Sequence, residues 1–323
     1  MDEKNVTIIT VVHLLGFQTP KAITFLLFFL FLLIYCATIC GNVLIISLVS
    51  YSKFLHSPMY FFLSQLSITD ILLATVILPN LIHITLEKNT AIISISNCII
   101  QFYFFAVSET SESLLLTVMS YDRYLAICKP LHYTLLMGHQ FCWVTIITTW
   151  SLSFLAGLIY ILVISKLEFC GPNIIDHFFC DLDPIVKLSC SDITIVQIES
   201  TSTSVVFGFI PVIFIIVSYV YIIVTIFKIP SIKSRQKVFS TCSSHLTVVC
   251  MFYGTLLFVY LVPRRGQLLK ITKFLSLLYT VVTPLMNPII YSLKNKDLKE
   301  VVGRIANNLL KLNFYHFKNL PIT

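Results

Sequence analysis

Apolar residues run through this chain in long blocks rather than at the spacing of a water-facing amphipathic helix. A helix that crosses a bilayer needs about 20 mostly apolar residues, and seven blocks reach that length. They are Ile23–Val49, Pro58–Leu81, Ile95–Ile127, Gln140–Val163, Glu199–Phe227, Val238–Val262 and Phe274–Leu293. The pattern predicts an all-α membrane protein, with a tail over residues 1–22, a seven-helix bundle over 23–293 and a second tail over 294–323. In the second tail Leu298, Val301, Val302, Ile305 and Leu309 recur at helical spacing, with Lys296, Lys299 and Arg304 between them. That spacing predicts a short amphipathic helix lying on the bilayer surface; a frayed tail is the plainer alternative.

Composition agrees. The chain is 57% hydrophobic and 11% charged, with mean hydropathy +0.90. A soluble domain carries about 25% charged residues, and so few charges do not cover a water-facing surface. The net charge of +7 suits basic cytoplasmic loops. The basic residues are scattered between apolar blocks, which argues against nucleic acid as a partner. Seven spans put the two ends on opposite sides. With the N-terminus outside, thirteen of the 22 Lys and Arg fall inside; Arg264, Arg265, Lys270 and Lys273, in the last outer loop, oppose this modest bias. Asn5-Val6-Thr7 is the only N-x-[ST] triplet, which makes Asn5 a glycosylation candidate and agrees with an outer N-terminus. The first block is too long for a cleavable signal peptide and reads as an uncleaved span.

Six of the ten cysteines lie in or beside apolar blocks, where they pack. Cys98, Cys170, Cys180 and Cys190 fall in segments placed on the outer side. Four cysteines in an oxidising compartment suggest two disulfides; a zinc site is the rival, and no CxxC spacing supports it. The long outer segment, about Ser165–Ile198, carries Glu168, Asp176, Asp181, Asp183 and Asp192 against Lys166 and Lys187. It is expected to fold over the bundle mouth.

Charges inside the spans are the candidate chemistry. A charge at the bilayer centre costs about 2.5–3.5 kcal/mol on insertion scales and calls for a partner or a purpose. Asp70 lies midway along the second span and Glu112 midway along the third. Two carboxylates at one depth repel unless one takes up a proton or a cation sits between them. Asn42 and Asn287 complete an oxygen-lined site in this reading, with Na⁺ as its occupant; the alternative is a protonated pair held by hydrogen bonds. Glu109 shares the Glu112 face one turn away. It is either a counter-ion or acceptor for a ligand, or a carboxyl kept neutral or turned to water. Arg123 lies eleven residues after Glu112, roughly 16 Å along the helix, with Asp122 beside it as an ionic partner. A snorkelling arginine is the plain alternative.

These positions also spell a family. Met119–Cys128 reads MSYDRYLAIC, Leu55–Tyr60 reads LHSPMY, Lys237–Val249 reads KVFSTCSSHLTVV and Pro284–Asn295 reads PLMNPIIYSLKN. Gly41-Asn42, Trp150, Ser218-Tyr219 and Phe252–Thr255 fit the same pattern, in order, from about residue 5 to residue 300. The set resembles the vertebrate odorant receptors of the rhodopsin-like, G-protein-coupled superfamily. The resemblance implies a rhodopsin-like seven-helix fold, a plasma-membrane location and no enzymatic activity. It also implies a small volatile ligand, with coupling to a stimulatory heterotrimeric G protein that raises cyclic AMP. Disulfides Cys98–Cys180 and Cys170–Cys190, an ion site at Asp70 and Glu112, and a switch made of Asp122, Arg123, Tyr124, Tyr219 and Tyr291 follow from it too. Ser120, Leu125 and Lys294 depart mildly from the family pattern. Glu109 departs more, so the resemblance assigns it no role.

Family pattern and helical facing together place a ligand among Phe102, Phe105, Ala106, Glu109, Thr110 and Ser113 of the third span. Thr203, Ser204 and Phe207 of the fifth, Tyr253, Leu257 and Tyr260 of the sixth, and Thr280 of the seventh complete that pocket. A non-olfactory receptor for an amine or other small ligand is the close alternative. A transporter would show internal repeats or paired broken spans. An enzyme would show HExxH, GxSxG or clustered ligands. The chain shows none of these.

Overall fold

The computed structural model of the chain describes residues 9–87, 90–170, 172–261, 268–294 and 298–304. Seven long helical spans form one bundle. The first four are Lys21–Tyr51, Pro58–Leu86, Ile95–Cys128 and His139–Ile164. The fifth runs through Thr194–Ser204, a π-turn at Val205–Phe209, and Ile210–Lys228. The sixth is Ile232–Leu261. The seventh runs through Leu268–Leu277, a π-turn at Leu278–Val282, and Thr283–Lys294. Several helices overrun the apolar blocks, because backbone hydrogen bonding continues after the apolar composition stops. Five of the seven are long and apolar enough to cross a membrane on composition alone. The third falls short because a seam of serines, threonines and charges dilutes it; the apolar run of the sixth is confined to Cys242–Phe258.

Large apolar side chains cover the outside of the bundle. Phe25, Leu26, Phe29 and Leu33 of the first span are each more than 60% exposed, and Ile216, Val220 and Phe227 of the fifth are exposed too. A soluble monomer does not expose such a continuous apolar belt; a bilayer covers it.

Residues 1–22 are more than a tail. Val11–Leu15 forms strand β1, antiparallel to β2 (Thr90–Ser94) and parallel to β3 (Ile174–Ile175), in the order β2-β1-β3. This sheet caps one end of the bundle, the mouth. Lys273 clamps it: its ammonium donates to the carbonyls of Leu15 and Gly16 at 3.0 and 3.2 Å and to Asp176 at 2.5 Å. The long loop folds inward beneath the sheet, as its composition suggests. Phe178, Phe179 and Cys180 are fully buried, and the disulfide Cys98–Cys180 ties them to the third span. The second disulfide, Cys170–Cys190, closes the loop on itself. Beyond the seventh span, residues 298–304 are helical, with Leu298 and Val301 buried and Arg304 paired to Glu300. Ile305, Leu309 and the glycosylation candidate Asn5 lie outside the described residues.

Prolines join the spans to one another. A proline has no N–H, so the carbonyl four residues before it loses its helical partner. Pro211 frees the Phe207 carbonyl, which accepts from Ser113 Oγ of the third span at 2.5 Å. Pro288 frees the Pro284 carbonyl, which accepts from Asn42 Nδ2 of the first span at 3.1 Å. Near Pro79, the Val76 carbonyl accepts from Gln101 Nε2 at 2.9 Å. Gly41 makes the first-to-seventh approach possible: a Cβ there would stand 3.1 Å from Pro288 Cγ.

Gly157 is tighter still, since a Cβ would stand 2.8 Å from the Tyr103 ring and 3.0 Å from Val107. Gly157→Val is therefore expected to wedge the third and fourth spans apart at a cost of about 1–3 kcal/mol. Thermal unfolding in detergent or nanodiscs checks this, and the expected result is a midpoint lowered by several degrees.

Candidate functional site

The third span carries most of the candidate chemistry, and its own backbone consumes most of its hydroxyls. Ser108 donates to Phe104 O, Ser111 to Val107 O, Thr117 to Ser113 O and Ser120 to Thr117 O, at 2.7–2.9 Å. Such back-bonding satisfies a small polar side chain inside a membrane helix. It also withholds those protons from neighbouring groups, so the acids of this helix depend on partners elsewhere.

Midway along the bundle those partners are scarce. Asp70 and Glu112 are buried to 1% and 0% exposure, close enough for their charges to act on each other. Asn287 Nδ2 donates to both oxygens of Asp70, at 3.0 and 3.1 Å. Asn42 spends its amide on the Thr38 and Pro284 carbonyls. What remains is a set of buried acceptors with no donor: both Glu112 oxygens, Asn42 Oδ1 and Asn287 Oδ1. Among the described residues two Lys or Arg side chains are buried, Arg123 and Lys273. Both are engaged, by Asp122 and by Asp176. Three of the four residues of the expected ion site, Glu112, Asn42 and Asn287, thus contribute buried oxygens that meet no donor among the described residues, beside an Asp70 held by Asn287 alone. That is the donor set a hard monovalent cation takes.

Towards the mouth, Phe102, Phe105, Ala106 and Thr110 are buried. Phe105 packs against Phe179 of the loop and Tyr279 of the seventh span, at centroid distances of 5.1 and 6.1 Å. Glu109 is half-buried, and its Oε1 is buried with no donor. One turn further on, Ser113 lies between two spans. Its single proton goes to the Phe207 carbonyl, so Tyr253, 2.8 Å away, must be the donor to Ser113 Oγ. The chain Tyr253–Ser113–Phe207 joins the sixth, third and fifth spans. Thr203 donates to Glu199 at 3.0 Å and Thr280 to Ser276 O at 2.7 Å, so neither hydroxyl proton is free. Ser204 is half-buried. Leu257, expected in the pocket wall, is 58% exposed and adds no buried surface to it. The Tyr260 side chain lies outside the described residues. A separate groove of about 450 Å³ runs along the sixth span at Phe239, Ser243, Leu246, Thr247, Cys250 and Met251. It contains no charged group.

The end away from the mouth holds the switch candidates. Asp122 is fully buried and binds the Arg123 guanidinium. Its other oxygen accepts from Tyr133 at 2.7 Å. Tyr133 lies on the short helix Pro130–Leu136 that links the third and fourth spans. Burial, and then the Asp122 charge, pushes the Tyr133 phenol far above its ordinary range, so it remains a donor. Tyr219 and His245 share a hydrogen bond of 2.6 Å, and His245 Nε2 reaches Leu116 O at 3.1 Å. Tyr291 is fully buried, and its hydroxyl has no partner. Tyr124 is half-buried and stacks on Tyr121 at 6.2 Å. Sequence reasoning missed Tyr133, His245 and Gln101. His245 and Gln101 act through contacts far along the chain, and Tyr133 reaches Asp122 from the helix linking the third and fourth spans, so no periodicity within one span announces them.

Comparison with known proteins identifies the architecture. The profile described as "Olfactory receptor" matches residues 9–309. The chain belongs to the olfactory receptor family. Human olfactory receptor 11L1 is 45% identical over 305 residues, 94% of each chain. Rat olfactory receptor 1468 is 40% identical, covering 94% of this chain and 97% of its own. Squid rhodopsin superposes with a TM-score of 0.71 at 17% identity, covering 91% of this chain and 88% of its own, which shows the fold. The protein is thus an odorant receptor with a rhodopsin-like seven-helix fold, and not an enzyme.

The receptor's buried ion pair gives a direct test. Asp122→Asn leaves Arg123 charged and without its partner, which costs about 3–5 kcal/mol for a buried pair. The expected result is a lowered unfolding midpoint in nanodiscs. Adding Arg123→Gln should recover part of the loss, and the double-mutant cycle measures the coupling.

Proposed function

We propose that the receptor binds a small, mostly apolar odorant from the extracellular side, between the buried loop and the chain Tyr253–Ser113–Phe207. The carrying observation is that chain: one hydrogen-bonded line ties three spans together, roughly two turns along the third span from the aromatic wall of Phe102 and Phe105. A ligand acts by preferring one of two arrangements. One that pulls on Tyr253 shifts the sixth span relative to the third and fifth. The shift opens the end around Arg123, Tyr219 and Tyr291 to a heterotrimeric G protein of the stimulatory, olfactory type, and cyclic AMP rises. The N-terminus is extracellular in this reading, which the Asn5 triplet and the two disulfides at the mouth support.

A sodium ion at Asp70, Glu112, Asn42 and Asn287 belongs to the same proposal. The support is the set of donorless buried oxygens at Glu112, Asn42 and Asn287 around the buried Asp70. An ion there would hold the second, third and seventh spans in one arrangement, and its release would accompany activation.

Two measurements test this reading. In cells reporting cyclic AMP, an odorant panel should include agonists of the parent receptor. Tyr253→Phe removes one hydrogen bond, so it should shift their potency about two- to tenfold. Replacing external sodium by an organic cation should change agonist potency in the parent and leave it unchanged in Asp70→Asn and Glu112→Gln. No agonist in a broad panel, with the receptor at the cell surface, contradicts the first part. Equal sodium dependence in parent and variants contradicts the second.

A further inference from the structure

The mouth half of the bundle holds more acidic side chains than one ion at Asp70 and Glu112 would engage. Glu109 lies a turn above Glu112, and its buried Oε1 has no donor. Glu112 and Asp181 both stand close enough for their charges to act on it. Asp181 comes from the covering loop, where it caps a short helix at Leu182 N. Glu199 enters from the fifth span, held by Thr203. Asp181 and Glu199 flank the buried Tyr160, whose ring meets Phe102 edge-on at 5.4 Å. Glu109, Asp181 and Glu199, from three elements, thus lie close to the aromatic cluster of Phe102, Phe105 and Tyr160, with Glu112 a turn below. Among the described residues the buried cation at this end is Lys273, already held by Asp176 and two backbone carbonyls.

We propose that this receptor's ligand is a small amine, its ammonium group seated on Glu109 and its apolar stem against Phe105, Phe179 and Tyr279. The proposal rests on the reading above that odorants bind beside Tyr253 and names their chemical class. Three ligand classes would meet this site differently. An organic acid brings a like charge to a ring of acids. A neutral alcohol or ketone leaves the net charge as it was. An ammonium brings a positive charge and up to three N–H donors to an acceptor that has none. Aromatic faces around the stem add attraction for a cation. The seat also fits the signalling geometry. Glu109 and Glu112 both lie near enough to Tyr253 for their charges to bear on it, so a cation bound here changes the field at the head of the Tyr253–Ser113–Phe207 chain.

The experiment uses full-length receptor purified into nanodiscs and matched probes of one chain length: a primary alkylamine, the alcohol and the carboxylic acid. Thermal stabilisation against concentration is read for parent, Glu109→Gln and Glu109→Asp, alongside cyclic AMP responses in cells. In the parent the amine should act at a concentration about tenfold lower than the alcohol, the worth of one charge-assisted hydrogen bond. Glu109→Gln should remove that advantage and leave the alcohol's effect unchanged. Glu109→Asp should keep the rank order. Equal action of amine and alcohol in the parent overturns the amine assignment and leaves the odorant site standing. So does an amine advantage that survives in Glu109→Gln. If none of the three probes stabilises any form, the amine assignment falls, and the odorant panel decides the wider reading separately.

Discussion

A bilayer offers no water to a polar group that lacks a partner, and that constraint organises this molecule. Each unsatisfied group inside lipid costs several kcal/mol. Helices settle the backbone, and back-bonded hydroxyls settle most small polar side chains of the third span. Proline interruptions reopen the account by freeing carbonyls, and side chains of neighbouring spans close it again. Asn42 takes the carbonyl that Pro288 releases, and Ser113 takes the one that Pro211 releases. The same residues that break helices thereby join them. Against this background the uncompensated acceptors stand out. Glu109, Glu112, Asn42 and Asn287 all present buried oxygens that meet no donor among the described residues.

The arrangement divides the receptor along its length. The mouth is fastened by two disulfides, a small sheet and the Lys273 clamp. At the opposite end the Asp122–Arg123 pair lies within the third span; Tyr133 joins Asp122 to the linking helix, and His245 of the sixth span joins Tyr219 of the fifth and Leu116 O of the third. Between the two ends lie the acids. The third helix runs through all three zones and makes its contacts to the others in sequence.

Much of this was legible in the sequence. Block lengths predicted seven spans, and the helices follow them. Depth counting placed Asp70 and Glu112 together, because helix rise converts residue number into depth when spans run antiparallel. Glu109 stood out because no common pattern explains an acid in an aromatic face. Other features were not legible. β1 lies in a segment read as a tail, since five residues, four of them apolar and without alternation, carry no sheet signal until their partner strands are known. Lys273 argued against the orientation as a bare charge, yet in the structure it is a buried clamp. His245 owes its role to contacts across the bundle, at sequence separations that no periodicity reveals, and Tyr133 owes its role to the turn that folds the linking helix back beside Asp122. Leu257 shares a face with Tyr253 by spacing alone, but tertiary packing leaves it exposed.

The central claim is that the carboxylates in the middle of the bundle are held by a cation from solution rather than by a shared proton. Infrared difference spectroscopy on the purified receptor in nanodiscs, with and without sodium, reads this directly. The account predicts that sodium removes a protonated-carboxyl band and adds carboxylate signal, and that Asp70→Asn and Glu112→Gln each abolish the difference. A protonated-carboxyl band that persists unchanged at saturating sodium would contradict it.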